Sequence, residues 1–179
     1  AVMGGIGNLK GAVLGAIGGA ISVVGITSAI AKIKQETIDA EKEQTQLAAA
    51  IKSTGGAAGW SVERLNAMAD SMEKTSTFSA GQINQAQTRM LSYAGVVGDQ
   101  FPRAMQAVID MSERMGYEVT ASAETIGKAL DVPSEGLTAL SKQGFRFTDA
   151  QKELVKQFER TGQTAKAQDI ILQALESSY

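Results

Sequence analysis

Two pairs of residues in this sequence have types that could perform chemistry. Asp99 and Asp110 would act as a general acid–base pair if the fold brought their carboxylates together. Nothing in their spacing predicts this, and we interpret them as a first-turn acid and a solvated position on a helix. Ser71 and Lys74 have the spacing of a serine–lysine nucleophile, but the partner motifs of such enzymes are absent. The sequence therefore predicts no catalytic residue.

The residue types that are missing exclude most other chemistry. The 179-residue chain contains no His and no Cys. It therefore lacks the usual ligands of zinc, haem and iron–sulfur clusters, and it cannot form a Ser–His or Cys–His nucleophile. Seventeen Lys and Arg against 19 Asp and Glu give a net charge of −2, without the basic excess that nucleic-acid binding requires. We expect no enzyme, no cofactor or metal, and no specific recognition of nucleic acid.

The first zone, residues 1–31, is rich in glycine and alanine and predicts contact with a membrane. Residues 11–31 are 21 uncharged residues, and as a helix they would span about 30 Å, the thickness of a bilayer's hydrocarbon core. Small residues repeat every four positions there, which allows close approach of helices. The predicted membrane and self-association residues are Gly11, Gly15, Gly19, Ile17 and Val24. A signal peptide and a buried hairpin of a helical bundle are the competing interpretations.

The second zone, residues 32–59, changes abruptly to mixed charge and predicts a coiled-coil-like helix followed by a glycine-rich hinge at residues 54–59. Small or apolar positions with two polar interruptions alternate at spacings of four and three, as in a heptad repeat. This seam consists of Ile26, Ile30, Ile33, Thr37, Ala40, Gln44, Leu47 and Ile51. The alternative is a single amphipathic helix that packs on its own domain.

The third zone, residues 60–179, predicts a bundle of short amphipathic helices, so the fold class is all-α. Capping boxes are predicted at Ser79 and Thr148, and glycines close three helices, at Gly116, Gly144 and Gly162. The predicted helices cover residues 61–74, 100–115, 121–130, 133–142 and 149–160, with others beginning at 79 and 165. In the helix at 149–160 the predicted inward residues are Leu154, Val155 and Phe158.

An ordered series of blocks in this third zone resembles a known family. The blocks are TFS at 77–79, FPRA at 101–104, AETIGKAL at 123–130, EGLTALS at 135–141, FTDAQK at 147–152, RTGQTA at 160–165 and QDIIL at 168–172. Each block is weak alone, but their succession resembles the tail tape measure proteins of lambda-like long-tailed phages and prophages. Such proteins are much longer, so the resemblance implies a fragment, and no long coiled-coil body is present here.

The resemblance implies a structural protein of the virion. It implies that the protein extends through the growing tail tube, fixes tail length, and leaves the tail ahead of the genome. Its apolar segment would then help DNA across the host inner membrane. The implied partners are further copies of the chain, tail tube and tail-tip proteins, and tail assembly chaperones. The implied locations are the tail lumen, the host cytoplasm during assembly and the host inner membrane on infection.

Two other function classes stay open from the residues alone. One is a membrane-active, pore-forming helical protein unrelated to tails, which would use residues 11–31 as its membrane element. The other is a plain coiled-coil adaptor, which would have no use for that run. A longer sequence with hundreds of further helical residues would favour the tape measure interpretation over both.

Overall fold

The computed structural model describes residues 23–53, 59–93, 95–96 and 98–178, and all regular structure in them is helical. The helices are α1 (Val23–Ser53), α2 (Val62–Glu73), α3 (Ala80–Leu91), α4 (Gln100–Met115), α5 (Val119–Asp131), α6 (Pro133–Lys142), α7 (Asp149–Arg160) and α8 (Thr164–Glu176). These described residues contain no strand. The all-α prediction is therefore confirmed.

Local capping chemistry fixes where these helices begin and end. The Ser79 side chain accepts from the backbone N–H of Gln82, and the Gln82 side chain accepts in return from the N–H of Ser79. Thr148 and Gln151 form the same capping box at the start of α7. At the end of α4, Gly116 adopts a left-handed φ of 69° and its N–H donates to the carbonyl of Ser112. The predicted capping boxes and the glycine stop at 116 are confirmed.

The helices that follow α1 pack around α5, which contacts α3, α4 and α6 along its length. Tyr93 makes one of these contacts tight, because a Cβ on Gly127 of α5 would overlap its ring. Trp60 packs its ring against Phe101 at 5.5 Å between centroids. Tyr93 and Trp60 are therefore packing anchors. The buried apolar side chains around them form one continuous core.

The expectation that Leu154 faces the core is wrong. Its side chain is 43% exposed, whereas its neighbour Val155 is fully buried and is the buried residue of α7. Successive residues of a helix point about 100° apart. Since α7 packs a narrow stripe centred on Val155, Leu154 turns towards solvent.

The chain divides into two compact units, with the division within α1 between Ala40 and Glu41. The larger unit runs from Glu41 to Tyr179 and contains α2 to α8. In the part of the chain that the structure describes, no helix combines the length and apolar character needed to cross a membrane. The predicted membrane residues Gly11, Gly15, Ile17 and Gly19 lie outside the described residues.

Candidate functional site

The last three turns of α1 lie against α2 and α3 through a face that we call the docking face, formed by Gln44, Leu47 and Ile51. Leu47 is fully buried in the core of the larger unit, and Ile51 is half-buried against that core. Truncating a buried leucine to alanine costs about 2–5 kcal/mol, so Leu47 is the main apolar anchor of this contact.

Amide side chains complete the docking face. The Gln44 amide donates to Oδ1 of Asn66 at 3.1 Å and accepts from Nδ2 of Asn66 at 3.0 Å. The same Asn66 oxygen also accepts from Nδ2 of Asn84 in α3, at 3.1 Å. A further bond joins Gln85 to a carboxylate oxygen of Glu43 at 2.9 Å. Three helices are thus linked by one chain of side-chain hydrogen bonds.

The docking face is the C-terminal part of the predicted heptad seam. The earlier seam residues Ile26, Ile30 and Ile33 also belong to α1, and so does Val24. Ala40, another seam residue, is exposed. Within one chain, Leu47 and Ile51 pack as the amphipathic-helix alternative expects. Pairing of the whole seam with a second copy stays a prediction.

The residues considered for chemistry do not form a catalytic arrangement. Asp99 precedes α4 and Asp110 lies in it eleven residues later, so a rise of 1.5 Å per residue separates them by about 16 Å along the helix. Ser71 and Lys74 are both exposed on the surface. Among the residues that the structure describes, no group of three acidic side chains is placed to hold a metal ion.

Two polar anchors of the larger unit were not predicted from the sequence. The buried amide of Gln168 in α8 donates to the carbonyls of Leu130, at 2.8 Å, and Gly95, at 2.9 Å. Arg103 in α4 binds both carboxylate oxygens of Glu176, at 2.6 and 3.0 Å, and Asp169 at 2.5 Å. A polar residue at an inward position of an amphipathic helix was the available signal for Gln168.

An open cleft beside α4 is lined by Asp110, Glu113, Arg114 and Ser178. Burial raises the pKa of Asp110, and the charge of Glu113 raises it further, while a 2.8 Å hydrogen bond from Gln106 opposes both. Glu113 itself accepts from the backbone N–H of Thr77 at 2.8 Å. The groups described at the cleft form hydrogen bonds within the fold and do not resemble a reaction centre.

Comparison with known proteins identifies the family of the chain through a long stretch of sequence, residues 1–156, rather than through one site. The sequence model of the prophage tail length tape measure protein family matches residues 1–156. A tape measure protein of Pseudomonas phage PAJU2 is 24% identical over 171 residues, which is 95% of this chain and 18% of that protein. A tape measure protein of Escherichia phage N15 is 30% identical over 115 residues, 64% of this chain and 14% of that protein.

The chain thus spans less than a fifth of the length of these relatives. No solved structure matches it significantly. The family match nevertheless covers the glycine-rich first zone, α1 and the bundle up to α7 in one stretch. The chain therefore belongs to the prophage tail length tape measure protein family.

Proposed function

We propose that this chain is a structural segment of the protein that sets tail length while the tail tube assembles around it. The observation that carries the proposal is the family match across residues 1–156 of an all-helical chain. A helix gives a length proportional to its number of residues, at about 1.5 Å each, and can therefore act as a ruler. The 31 residues of α1 correspond to about 46 Å of such a ruler.

The partners in this proposal are tail tube and tail-tip proteins, tail assembly chaperones and further copies of the chain. A tube with rotational symmetry favours a symmetric bundle on its axis. Two sequence patterns support such a bundle: the spacing of Gly11, Gly15 and Gly19, and the heptad spacing of the seam, which ends at the docking face.

A phage with an insertion in α1 tests the ruler role. Four heptads, or 28 residues, inserted after Ala40 keep the seam in register and lie outside the docking face. Tails seen by electron microscopy should lengthen by about 42 Å, the rise of 28 helical residues. A matched insertion of 28 glycine and serine residues at Gly144, between α6 and α7, adds no helix and should lengthen tails less. Tails of unchanged length with the heptad insertion would show that α1 is no part of the ruler.

We further propose that residues 11–31 contact the host inner membrane during genome delivery, after release from the tail. The support is a run of 21 uncharged residues with a small-residue stripe, long enough to span a bilayer as a helix. Five glycines and five alanines in this run add little transfer energy each, so several copies must act together. We therefore expect permeabilisation that rises steeply with protein concentration.

Leakage of a dye from liposomes measures this activity. Ile17→Asp combined with Val24→Asp should abolish leakage, because each charge near a helix centre costs roughly 2.5–3.5 kcal/mol on insertion. The matched control places Asp at Ile38 and Ala49, which are exposed and lie outside both the run and the seam, and should leave leakage unchanged. Equal leakage from both double variants would reject the membrane role.

A further inference from the structure

We propose that the docking face of α1 is a latch that chooses between two partners. In a single copy it packs against α2 and α3, and when released it pairs with the α1 seam of a second copy. This inference rests on the self-association in the proposed function and adds that the fold itself opposes it. The same residues, Gln44, Leu47 and Ile51, serve in both arrangements, so one arrangement excludes the other.

The contacts that hold the latch closed are few and replaceable. Leu47 is the fully buried side chain of the docking face, while Gln44 and Ile51 are half-buried. Side chains rather than close backbone approach join α1 to α2 and α3. The Gln44 amide meets one amide, Asn66, and a glutamine from a second copy presents the same donor and acceptor groups. A polar side chain at one seam position is also a known means of fixing register in coiled coils.

The bundle keeps its own links when α1 leaves. Asn84 donates to Asn66 at 3.1 Å and so joins α3 to α2 without any group from α1. Gln87 of α3 donates to the backbone carbonyl of Leu65 in α2 at 3.1 Å, and this second link between the two helices also involves no group from α1. Release of α1 therefore leaves α2 and α3 joined.

Pairing with a second copy uses more of the seam than docking does. Docking uses Gln44, Leu47 and Ile51, the last three of eight seam positions between residues 26 and 51. Pairing would use all eight along one continuous helix. Docking is intramolecular and prevails at low concentration, whereas pairing depends on concentration and prevails where copies are held together.

A cross-link that holds the latch closed tests the proposal. The chain has no cysteine, so Gln44→Cys with Asn66→Cys gives one pair for a short bifunctional thiol reagent. By sedimentation equilibrium on the full chain, the cross-linked protein should need at least tenfold higher concentration to associate than the same variant left unlinked. The control pair, Arg89→Cys with Glu124→Cys, replaces a 2.7 Å ion pair between α3 and α5, and linking it should leave association unchanged.

A second variant shifts the latch in the opposite direction. Asn66→Ala removes both hydrogen bonds to Gln44 and also the one from Asn84, but it leaves the seam of α1 and the Gln87–Leu65 link between α3 and α2 intact. Association should then tighten about tenfold, which is about 1.4 kcal/mol. Asn84→Ala removes only the bond between α3 and Asn66, so it controls for that loss and should leave association unchanged. Ser71→Ala, at an exposed position of the same helix, should have no effect.

The outcomes separate the latch from the proposals beneath it. If linked and unlinked protein associate equally, or if Asn66→Ala associates no more tightly, the latch is wrong while self-association stands. If the linked, unlinked and Asn66→Ala proteins are all monomeric at every concentration, the latch and self-association through the seam are both wrong. Neither result affects the ruler role, which the tail-length experiment measures separately.

Discussion

Gly136 of α6 lies so close to Ala129 of α5 that a Cβ at position 136 would overlap the Ala129 carbonyl oxygen. The neighbouring atoms are backbone, which cannot turn aside as a side chain can. Pro133 begins α6 immediately after the end of α5, at Val132, and the two helices are thereby folded against each other. Gly136 is what allows this close approach.

We therefore expect Gly136→Ala to destabilise the larger unit by about 1–3 kcal/mol, the usual cost of overpacking, despite alanine's better helix propensity. Urea unfolding followed by circular dichroism measures the change. Gly81→Ala is the matched control, because the three atoms nearest to a Cβ there all belong to the flexible end of the Glu43 side chain. That variant should be neutral or more stable by up to about 1 kcal/mol. Equal losses in the two variants would contradict the close-approach explanation.

The second prediction concerns the buried Gln168 amide, which is 1% exposed. Gln168→Met should cost about 2–4 kcal/mol, because it leaves the carbonyls of Leu130 and Gly95 without the donor they now share. Gln173→Met, on the exposed side of the same helix, should change stability by less than about 0.5 kcal/mol. Chemical denaturation of the two variants compares them directly, and similar midpoints would mean that Gln168 is no anchor.

The third prediction concerns the Arg103 clamp between α4 and α8. Arginine is charged at every ordinary pH, and the Glu176 and Asp169 carboxylates raise the pKa of Arg103 further. Arg103→Met should cost about 1 kcal/mol in low salt, and the difference should shrink near 1 M NaCl. Arg103→Lys keeps the charge but not the two-pronged geometry, so it should recover only part of the loss. A loss that salt does not alter would indicate packing of the Arg103 stem instead.

The fourth prediction uses the raised pKa of Asp110. Since the folded-state pKa lies above the ordinary value of 3.8, ionisation costs stability above that value, and the cost disappears as the pH falls. Asp110→Asn keeps an acceptor for Gln106 and removes the charge beside Glu113. We expect its Tm to exceed that of the parent by up to about 2 °C at pH 7 and to match it near pH 3. A gain that persists at pH 3 would point to a cause other than the charge.

The sequence by itself determined the class of fold and most helix boundaries. The predicted helices at residues 100–115 and 133–142 have the ends that the structure gives to α4 and α6. Those ends depend on signals within about four residues of themselves, such as Pro133 at the start of α6 and Gly116 after α4. The ordered blocks in residues 77–172 also sufficed to indicate the family, since a family pattern is a property of sequence order.

Only the tertiary structure decided which partner each surface meets. Heptad spacing around Leu47 is equally consistent with a second helix or with the chain's own bundle, because both bury the same stripe. The spacing around Val155 likewise does not show how narrow the buried stripe of α7 is, and it therefore predicts a buried Leu154 where the structure has an exposed one. The two carbonyls that accept from Gln168 lie 38 and 73 residues earlier in the chain. Such pairings depend on where helices that are far apart in the sequence cross, and the local sequence carries no information about where that happens.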